Sequence, residues 1–499
     1  MMLRDLIAGL PRVTASGPLT VEVAALTASS RQVVAGGLFA AIRGTTIDGH
    51  RFIADALAAG AAVIMAESAP PADLDPAVAW LHVPDSRAAL AVLASVMFGH
   101  PWRDMAIAGV TGTNGKTTTT FLIHHVMKNV WHRAGLLGTI LVDDGESVAP
   151  ARYTTPGSIE LTALLGRMKD HGCRGVAMEV SSHGIHQQRV AAIGFDACVF
   201  TNLTQDHLDY HGTLEAYYQA KAAWFFAQAA EPRGKKPVAV INTDDAYGAE
   251  LAAALQGRLP VIRFGFGIQS DFRANNFRQN PRGMEFELAA KGKTYLVRAP
   301  LIGRFNVYNL LAALAAANAC GIRPRDAIAT LGSAPQVPGR MENIGNAGGA
   351  TVFVDYAHTP DALENACRTL KELEPRRLIT VFGCGGDRDK GKRPLMAAAA
   401  ARYSDACVIT SDNPRSEDPL AIMREIERGI GGKGHRSIPD RAEAIAYAVK
   451  NSLSGDIILI AGKGHETTQQ FADHTVDFDD RKHANKALRD RAQAIAETR

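Results

Sequence analysis

Met105-Ala-Ile-Ala-Gly-Val-Thr-Gly-Thr-Asn-Gly-Lys-Thr-Thr-Thr-Thr120 decides how the rest of the chain is read. An apolar strand runs into a Gly-rich loop, then Lys116 and Thr117, then a segment able to become a helix. Backbone N–H groups of such a loop wrap phosphate oxygens, and the new helix presents its positive end to them. Lys116 is placed to reach the terminal phosphates, and the Thr117 hydroxyl to ligate Mg²⁺. Five residues, not four, separate Gly109 from Gly115, a departure from the common P-loop spacing. A plain Gly-rich turn is the competing reading, but strand, Gly-Lys-Thr and helix together favour a nucleoside-triphosphate site.

At 499 residues the chain has room for about three domains of ordinary size. Hydrophobic residues at 46% and charged residues at 21% read as a soluble globular protein. The net charge of +3 comes without a basic run, which argues against nucleic acid or a membrane surface as partner. Six cysteines (Cys173, Cys198, Cys320, Cys367, Cys384 and Cys407) stand singly, a pattern of a reducing cytosol and not of zinc or disulfides. The first residues lack a signal-peptide core, and no apolar run approaches the length of a membrane span. A cytoplasmic location is therefore expected.

The strand and helix patterns outward from the loop predict an α/β chain of three domains. Residues 1–103 alternate short apolar runs (Gly37-Leu-Phe-Ala-Ala-Ile-Arg43, Ala62-Val-Ile-Met-Ala66, Trp80-Leu-His-Val83) with helical spacing over 51–59 and 87–98. Gly99-His-Pro-Trp-Arg103 reads as a linker, with Pro101 closing the preceding helix. Residues 104–334 form the central P-loop-type domain, where strands at 175–180, 197–201 and 237–241 each end in polar residues. Such alternation implies a mostly parallel sheet with ligands at the carboxyl ends of its strands. Met284-Glu-Phe-Glu-Leu288 and Tyr295-Leu-Val-Arg298 suggest an antiparallel patch, and residues 306–317 a buried helix. Residues 335–499 repeat the doubly wound, Rossmann-like pattern.

Chemistry-bearing residues fall after those strands. Glu179-Val-Ser-Ser-His-Gly184 and Thr201-Asn-Leu-Thr-Gln-Asp-His-Leu-Asp-Tyr-His211 bring imidazoles and carboxylates to the phosphate-loop edge. Glu179 and His207 can join Thr117 in holding Mg²⁺, a cation that takes few protein ligands beside phosphate oxygens. A metallohydrolase site is the rival reading. Lys221 sits among Tyr217, Tyr218, Trp224 and Phe225, where an ammonium is costly unless paired or chemically altered. A lysine snorkelling to the surface is the simpler alternative. In the third domain, Asp355-Tyr-Ala-His358, the loop 383–393, Asp412-Asn-Pro-Arg415 and Gly462-Lys-Gly-His-Glu466 all follow strands. Arg388 and Arg415 offer forks for carboxylates, and Asp412 and Glu466 offer countercharges for an ammonium, so an amino acid fits this face.

Thr111-Gly-Thr-Asn-Gly-Lys-Thr117, Glu179-Val-Ser-Ser-His183, the run from Asn202 to His211, Ala220-Lys221, Asp355-Tyr-Ala-His358 and Asp412-Asn-Pro-Arg415 together resemble the Mur ligases of peptidoglycan synthesis. The unusual Gly109 spacing is that family's own, and the likeness is loosest in the N-terminal part, through Ser29-Ser-Arg31 and Gly44-Thr-Thr-Ile47. The resemblance implies that ATP phosphorylates the D-glutamate γ-carboxylate of a UDP-MurNAc-dipeptide and that the amine of meso-diaminopimelate displaces the phosphate. By the family pattern Gly112, Thr113, Asn114, Gly115, Lys116, Thr117 and Thr118 hold ATP phosphates, with Asn306 on adenine, Asp355 on ribose and Arg340 on phosphate. Ser30, Thr45, Thr46 and Ile47 would meet the UDP part; Thr154, Thr155, Ser181, Gln187 and Arg189 would hold the MurNAc-dipeptide. Arg388, Asp412, Asn413, Pro414, Arg415, Gly462 and Glu466 would hold the amino acid. Lys116, Lys221 and His207 would be catalytic, with Lys221 as a CO₂-derived carbamate on Mg²⁺, in a chain working as a monomer. Two alternatives stay open: a folylpolyglutamate synthase, which leaves the N-terminal domain and Asp412-Asn-Pro-Arg415 unexplained, and a P-loop switch or transport protein that hydrolyses ATP without an amino acid.

Overall fold

The computed structural model describes residues 1–44, 47–432 and 434–497. By its contacts the chain divides into two compact units, one of Met1–Ala274, Leu288–Tyr295 and Tyr308–Thr330, the other of Asn275–Glu287, Leu296–Val307 and Leu331–Arg499.

The first unit begins with a sheet of β1 (Thr14–Ser16), β2 (Leu26–Thr27), β3 (Leu38–Ala40), β4 (Val63–Ala66) and β5 (Ala79–His82), in the order β1-β5-β4-β3-β2. All neighbours are parallel except β1 with β5. The whole of Val63-Ile-Met-Ala66 is buried, as a parallel strand covered on both faces must be. The helix Ser86–Met97 starts where the Asp85 carboxylate accepts from the Arg87 and Ala88 amides at 2.8 and 3.0 Å. The expectation that Pro101 closes the preceding helix is corrected here. Gly99 and His100, both at positive φ, end that helix, while Pro101 opens a 3₁₀ turn, Pro101–Asp104, that buries Trp102.

The central sheet contains β6 (Ala106–Thr111), β7 (Ala134–Leu137), β8 (Leu141–Asp143), β9 (Val148–Pro150), β10 (Gly175–Glu179), β11 (Ala197–Phe200), β12 (Val238–Asn242) and β13 (Val261–Gly265). Its strands β13-β12-β11-β6-β10-β7 run parallel, the strand at Phe272–Asn280 adds parallel to β13, and β8 and β9 are antiparallel at the other edge. The chain leaves β6 on one side for β7 and β10, then crosses to the other for β11. That reversal puts the loop after β6 at a topological switch point, where open α/β sheets bind ligands. Three strands follow, β14 (Phe272–Asn280), β15 (Gly283–Ala290) and β16 (Lys293–Ala299), joined by two-residue connections. The alternating burial along β15 is that of the expected antiparallel patch.

Gly109, whose spacing broke the P-loop pattern, lies inside β6 and not in the loop. A Cβ there would meet the Phe195 ring at 2.7 Å and the Trp224 ring at 2.8 Å. It is a strand glycine that admits two aromatic side chains against the sheet.

The second unit carries β17 (Glu342–Ala347), β18 (Ala350–Asp355), β19 (Leu378–Phe382), β20 (Ala406–Ile409), β21 (His435–Ser437) and β22 (Ile457–Ala461), in the order β17-β18-β22-β19-β20-β21. Only β17 is antiparallel. Two apolar clusters cover its faces, one around Phe353, Leu370 and Met396, the other around Val352, Ile445 and Leu488. A hairpin of β23 (Thr468–Gln470) and β24 (Thr475–Asp477) stands beside it as a separate sheet. The α/β class and the parallel-rich sheets are those expected from sequence.

Candidate active site

The loop after β6 is prebuilt by its neighbours. The Thr113 amide donates to the Asn202 carbonyl and the Asn114 amide to Asn202 Oδ1, both at 2.9 Å, while the Thr201 hydroxyl donates to the Asn114 carbonyl at 2.7 Å. The helix Lys116–Trp131 follows at once, with Thr117 and Thr118 buried in its first turn. Lys116 Nζ folds back on the loop, donating to the carbonyls of Gly112 at 3.0 Å and Thr113 at 2.8 Å.

Around it the parallel strands deliver the expected side chains. The Thr117 hydroxyl donates to Glu179 Oε2 at 3.1 Å, and Thr139 donates to the same carboxylate through its amide at 2.8 Å and its hydroxyl at 3.1 Å. Glu179 is fully buried and receives only neutral donors, so a carboxylate and a hydroxyl stand together with no cationic partner among the described residues. That donor set fits a hard divalent cation better than it fits an ion pair. His207, a left-handed residue at φ 51°, packs its ring edge-on to His183 at 5.0 Å and to Tyr217 at 6.0 Å. It makes no hydrogen bond to Glu179 or Thr117. Burial lowers its pKa first, opposed by Asp206 and reinforced by the charge of Lys116. Among the described residues no three His, Cys, Asp or Glu side chains converge as a ready-made metal cage.

Lys221 is not a surface lysine. The helix Leu214–Ala230 buries it at 1% exposure, with Nζ donating to the Gly112 carbonyl at 2.9 Å and lying 4.3 Å from the Tyr217 ring centre. Desolvation first, and the charge of Lys116 second, push its pKa well below the lysine range. The aromatic crowding in the sequence was the signal for this burial.

The expected dipeptide contacts also converge. Thr155 donates to the Glu179 carbonyl at 2.9 Å and lies 3.1 Å from the Ser181 hydroxyl, while Thr154 and Thr139 hydroxyls are 3.0 Å apart. Arg189 donates to the Thr155 carbonyl at 2.6 Å and to Gln187 Oε1 at 2.7 Å. Ser30 sits half-buried in a short 3₁₀ turn and Ile47 is 55% exposed; Thr45 and Thr46 lie outside the described residues.

In the second unit Asp355, at the end of β18, accepts from the Met341 amide at 2.6 Å and the Ala357 amide at 2.8 Å. Burial raises its pKa against the lowering charge of Arg340. Arg340 stacks its guanidinium 4.7 Å above the Tyr356 ring, which also has His358 at 4.6 Å and His465 at 5.0 Å. A side chain at Gly339 would collide with the backbone of Gly464 and His465, so the segment before Arg340 lies directly on the 462–466 loop. Asn306 is buried and donates to the Ile302 carbonyl at 2.8 Å.

On the same carboxyl edge Asp412, Asn413 and Pro414 are buried, and Arg415, at φ 51°, donates to the Gly386 carbonyl at 2.7 Å. Arg388 is exposed. Glu466 is less open as a countercharge than its sequence suggested. Its Oε2 already receives the buried Lys463 ammonium at 3.1 Å and the Asn413 amide at 2.9 Å, and Lys463 also donates to Asn413 Oδ1 at 2.9 Å. Lys463, Thr139 and Asn202 thus do positioning work that motif reading did not assign.

Three family models match the chain in order: the Mur ligase family catalytic domain over 22–97, the Mur ligase middle domain over 110–317 and the Mur ligase glutamate ligase domain over 339–464. The chain belongs to the Mur ligase family. Among its relatives, the UDP-N-acetylmuramoyl-L-alanyl-D-glutamate–2,6-diaminopimelate ligase of Geobacillus kaustophilus is 44% identical over 98% of this chain and 100% of its own. The enzyme of the same name from Geobacter sulfurreducens is 42% identical, covering 98% and 99%. A solved structure of such a ligase superposes on this Mur ligase with a TM-score of 0.73 at 32% identity, over 98% of this chain and 99% of the other. Mycobacterium tuberculosis folylpolyglutamate synthase, solved with ADP and AMPPCP, shares the fold at a TM-score of 0.61 and 21% identity, over 74% of this chain and 91% of its own.

Proposed function

We infer that this Mur ligase joins meso-2,6-diaminopimelate to the D-glutamate γ-carboxyl of UDP-MurNAc-L-Ala-D-Glu, an ATP-dependent amide synthesis of peptidoglycan assembly. End-to-end likeness to enzymes of that name, at 42–44% identity, carries the reading. A γ-carboxylate oxygen attacks the terminal phosphorus of ATP, ADP leaves, and an acyl phosphate forms. The diaminopimelate nitrogen then attacks the acyl carbon, the C–O bond to phosphate breaks with its electron pair leaving on inorganic phosphate, and the nitrogen loses a proton.

Residues 1–103 are assigned to the UDP-MurNAc end, 104–334 to ATP and 335–499 to the amino acid. The loop amides of residues 112–115 and the Lys116 ammonium hold the ATP phosphates in this scheme. Mg²⁺, when bound, neutralises charge on the moving phosphoryl group; Thr117 and Glu179 are its first candidate ligands, with His207 and a carbamate on Lys221 beside them. The 3.1 Å Thr117–Glu179 contact and the depressed Lys221 pKa support these roles. Arg189 and Gln187 bind the dipeptide, and Arg415 takes the distal carboxylate of diaminopimelate. The reading extends to a monomer in the cytoplasm; no helix among the described residues is long and apolar enough to cross a membrane.

Phosphate release is the test. It should require ATP, the UDP-MurNAc-dipeptide and diaminopimelate together. Release that ignores the amino acid would point to an ATPase switch, and release with folate and glutamate to a folylpolyglutamate synthase; either overturns the reading.

A further inference from the structure

The two loops assigned to the amino acid at Asp412 and Gly462 do not leave neighbouring strands. They follow β20 and β22, and β19 runs between those strands in the sheet. Adjacent strands stand about 4.8 Å apart, so no ladder bond joins the two strand ends directly. Arg441 joins them. It is the first residue of the helix Arg441–Lys450, and its guanidinium donates to the Ser411 carbonyl at 3.2 Å and to the Ala461 carbonyl at 2.9 Å. These are the residues immediately before Asp412 and Gly462.

The fork itself is fixed from behind. Arg441 Nε and Nη2 donate to the two carboxylate oxygens of Asp480, both at 2.7 Å, and both side chains are 0% exposed. A planar guanidinium held bidentately has one orientation, so Asp480 sets the direction in which the remaining N–H groups point. The aimed loops meet closely: Asp412 Oδ2 lies so near Gly462 that a Cβ there would be 2.7 Å away. Gln469 reinforces the arrangement by donating to the Asp412 carbonyl at 2.6 Å.

We propose that Arg441, oriented by Asp480, is a positioning residue that sets the spacing between the Asp412 and Gly462 loops and so determines affinity for the incoming amino acid. The proposal rests on the reading of this face as the diaminopimelate site. The fold supplies its own control. At the opposite, amino-terminal edge of the same strands, Arg377 donates to Asp456 at 2.6 Å, another arginine on a fully buried aspartate but far from the ligand loops.

Arg441→Lys keeps the charge and removes the fork, as does Arg377→Lys. Arg441→Lys should raise KM for diaminopimelate roughly tenfold, while KM for ATP and for the UDP-MurNAc-dipeptide stay within about twofold. Arg377→Lys should lower Tm without moving KM for diaminopimelate. If Arg441→Lys does not fold, Asp480→Asn serves, with a smaller rise in the same constant alone. Unchanged KM for diaminopimelate, an equal rise in all three constants, or the same rise from Arg377→Lys overturns the proposal. A wild-type enzyme that does not use diaminopimelate at all would instead overturn the substrate reading.

Discussion

Lys221 Nζ lies 2.9 Å from the carbonyl oxygen of Gly112, the residue that opens the phosphate loop. A buried lysine bonded to a neutral carbonyl, with no carboxylate in ion-pair reach among the described residues, is held as an amine more readily than as an ammonium. In the proposed mechanism that amine attacks CO₂, forming an N–C bond and releasing a proton, to give a carbamate oxygen ligand at the phosphate loop. Lys221→Ala is therefore expected to lose activity by roughly a hundredfold or more. Short carboxylic acids such as acetate should restore part of the rate, and ¹³CO₂ should give a carbamate carbonyl resonance that Lys221→Ala lacks. Full activity of Lys221→Ala would falsify the role.

Lys116→Ala should leave the thermal transition near that of the parent and reduce kcat by roughly a hundred- to a thousandfold. The side chain is half-buried at the loop, donating to the carbonyls of Gly112 at 3.0 Å and Thr113 at 2.8 Å, and belongs to none of the apolar clusters, so its removal spares the core. Near-normal turnover by a folded Lys116→Ala enzyme would show that the loop does not act on the phosphoryl group.

Discrimination between diaminopimelate and L-lysine should reside in Arg415. The two amino acids differ by one carboxylate, and lysine offers the N–H groups of Arg415 that do not bond Gly386 no carboxylate to pair with. The parent should prefer diaminopimelate in kcat/KM by roughly a thousandfold or more. Arg415→Ala should erase most of that preference by losing diaminopimelate, not by gaining lysine. Equal use of both amino acids by the parent enzyme excludes the assignment.

Stability should fall in mild acid. His211 and His465 are each pulled down to about 4, burial being the largest cause for both, with the charge of His183 adding at His211 and that of Arg340 at His465. An imidazole in the unfolded chain titrates near 6.5 (a reference value of about that size). Between about 6.5 and 4 the unfolded state binds more protons, so stability is complete above that window and drains away as pH drops through it. Urea midpoints at about pH 7.5 and about pH 5 measure this, and His465→Gln should flatten the difference. A midpoint that rises toward pH 5 contradicts the argument.

The phosphate loop was legible because its chemistry is local: strand, glycines, lysine and helix start are consecutive. Glu179 and Lys221 were legible one step further out, the first as the polar end of an apolar strand, the second through its aromatic neighbours. Lys221 nevertheless needed the fold to decide between burial and snorkelling, since a helix of mixed composition does not announce which residues face inward. Pro101 misled because it opens a turn as readily as it closes a helix. Arg441 and Asp480 were not legible at all. They are separated by more than three dozen positions, and only the placement of β19 between β20 and β22, which no local pattern encodes, leaves a gap that one guanidinium spans.

The contact of Gly339 with Gly464 bears on how compounds against this enzyme should behave. Backbone rests on backbone there, leaving no side chain to yield between the segment carrying Arg340 and the loop carrying Glu466. An inhibitor shaped to the face proposed for the amino acid that shifts the 462–466 loop toward Gly339 is expected to displace Arg340 with it. Such a compound is expected to show mixed, not purely competitive, kinetics, and a resistance substitution at either glycine would carry its own fitness cost.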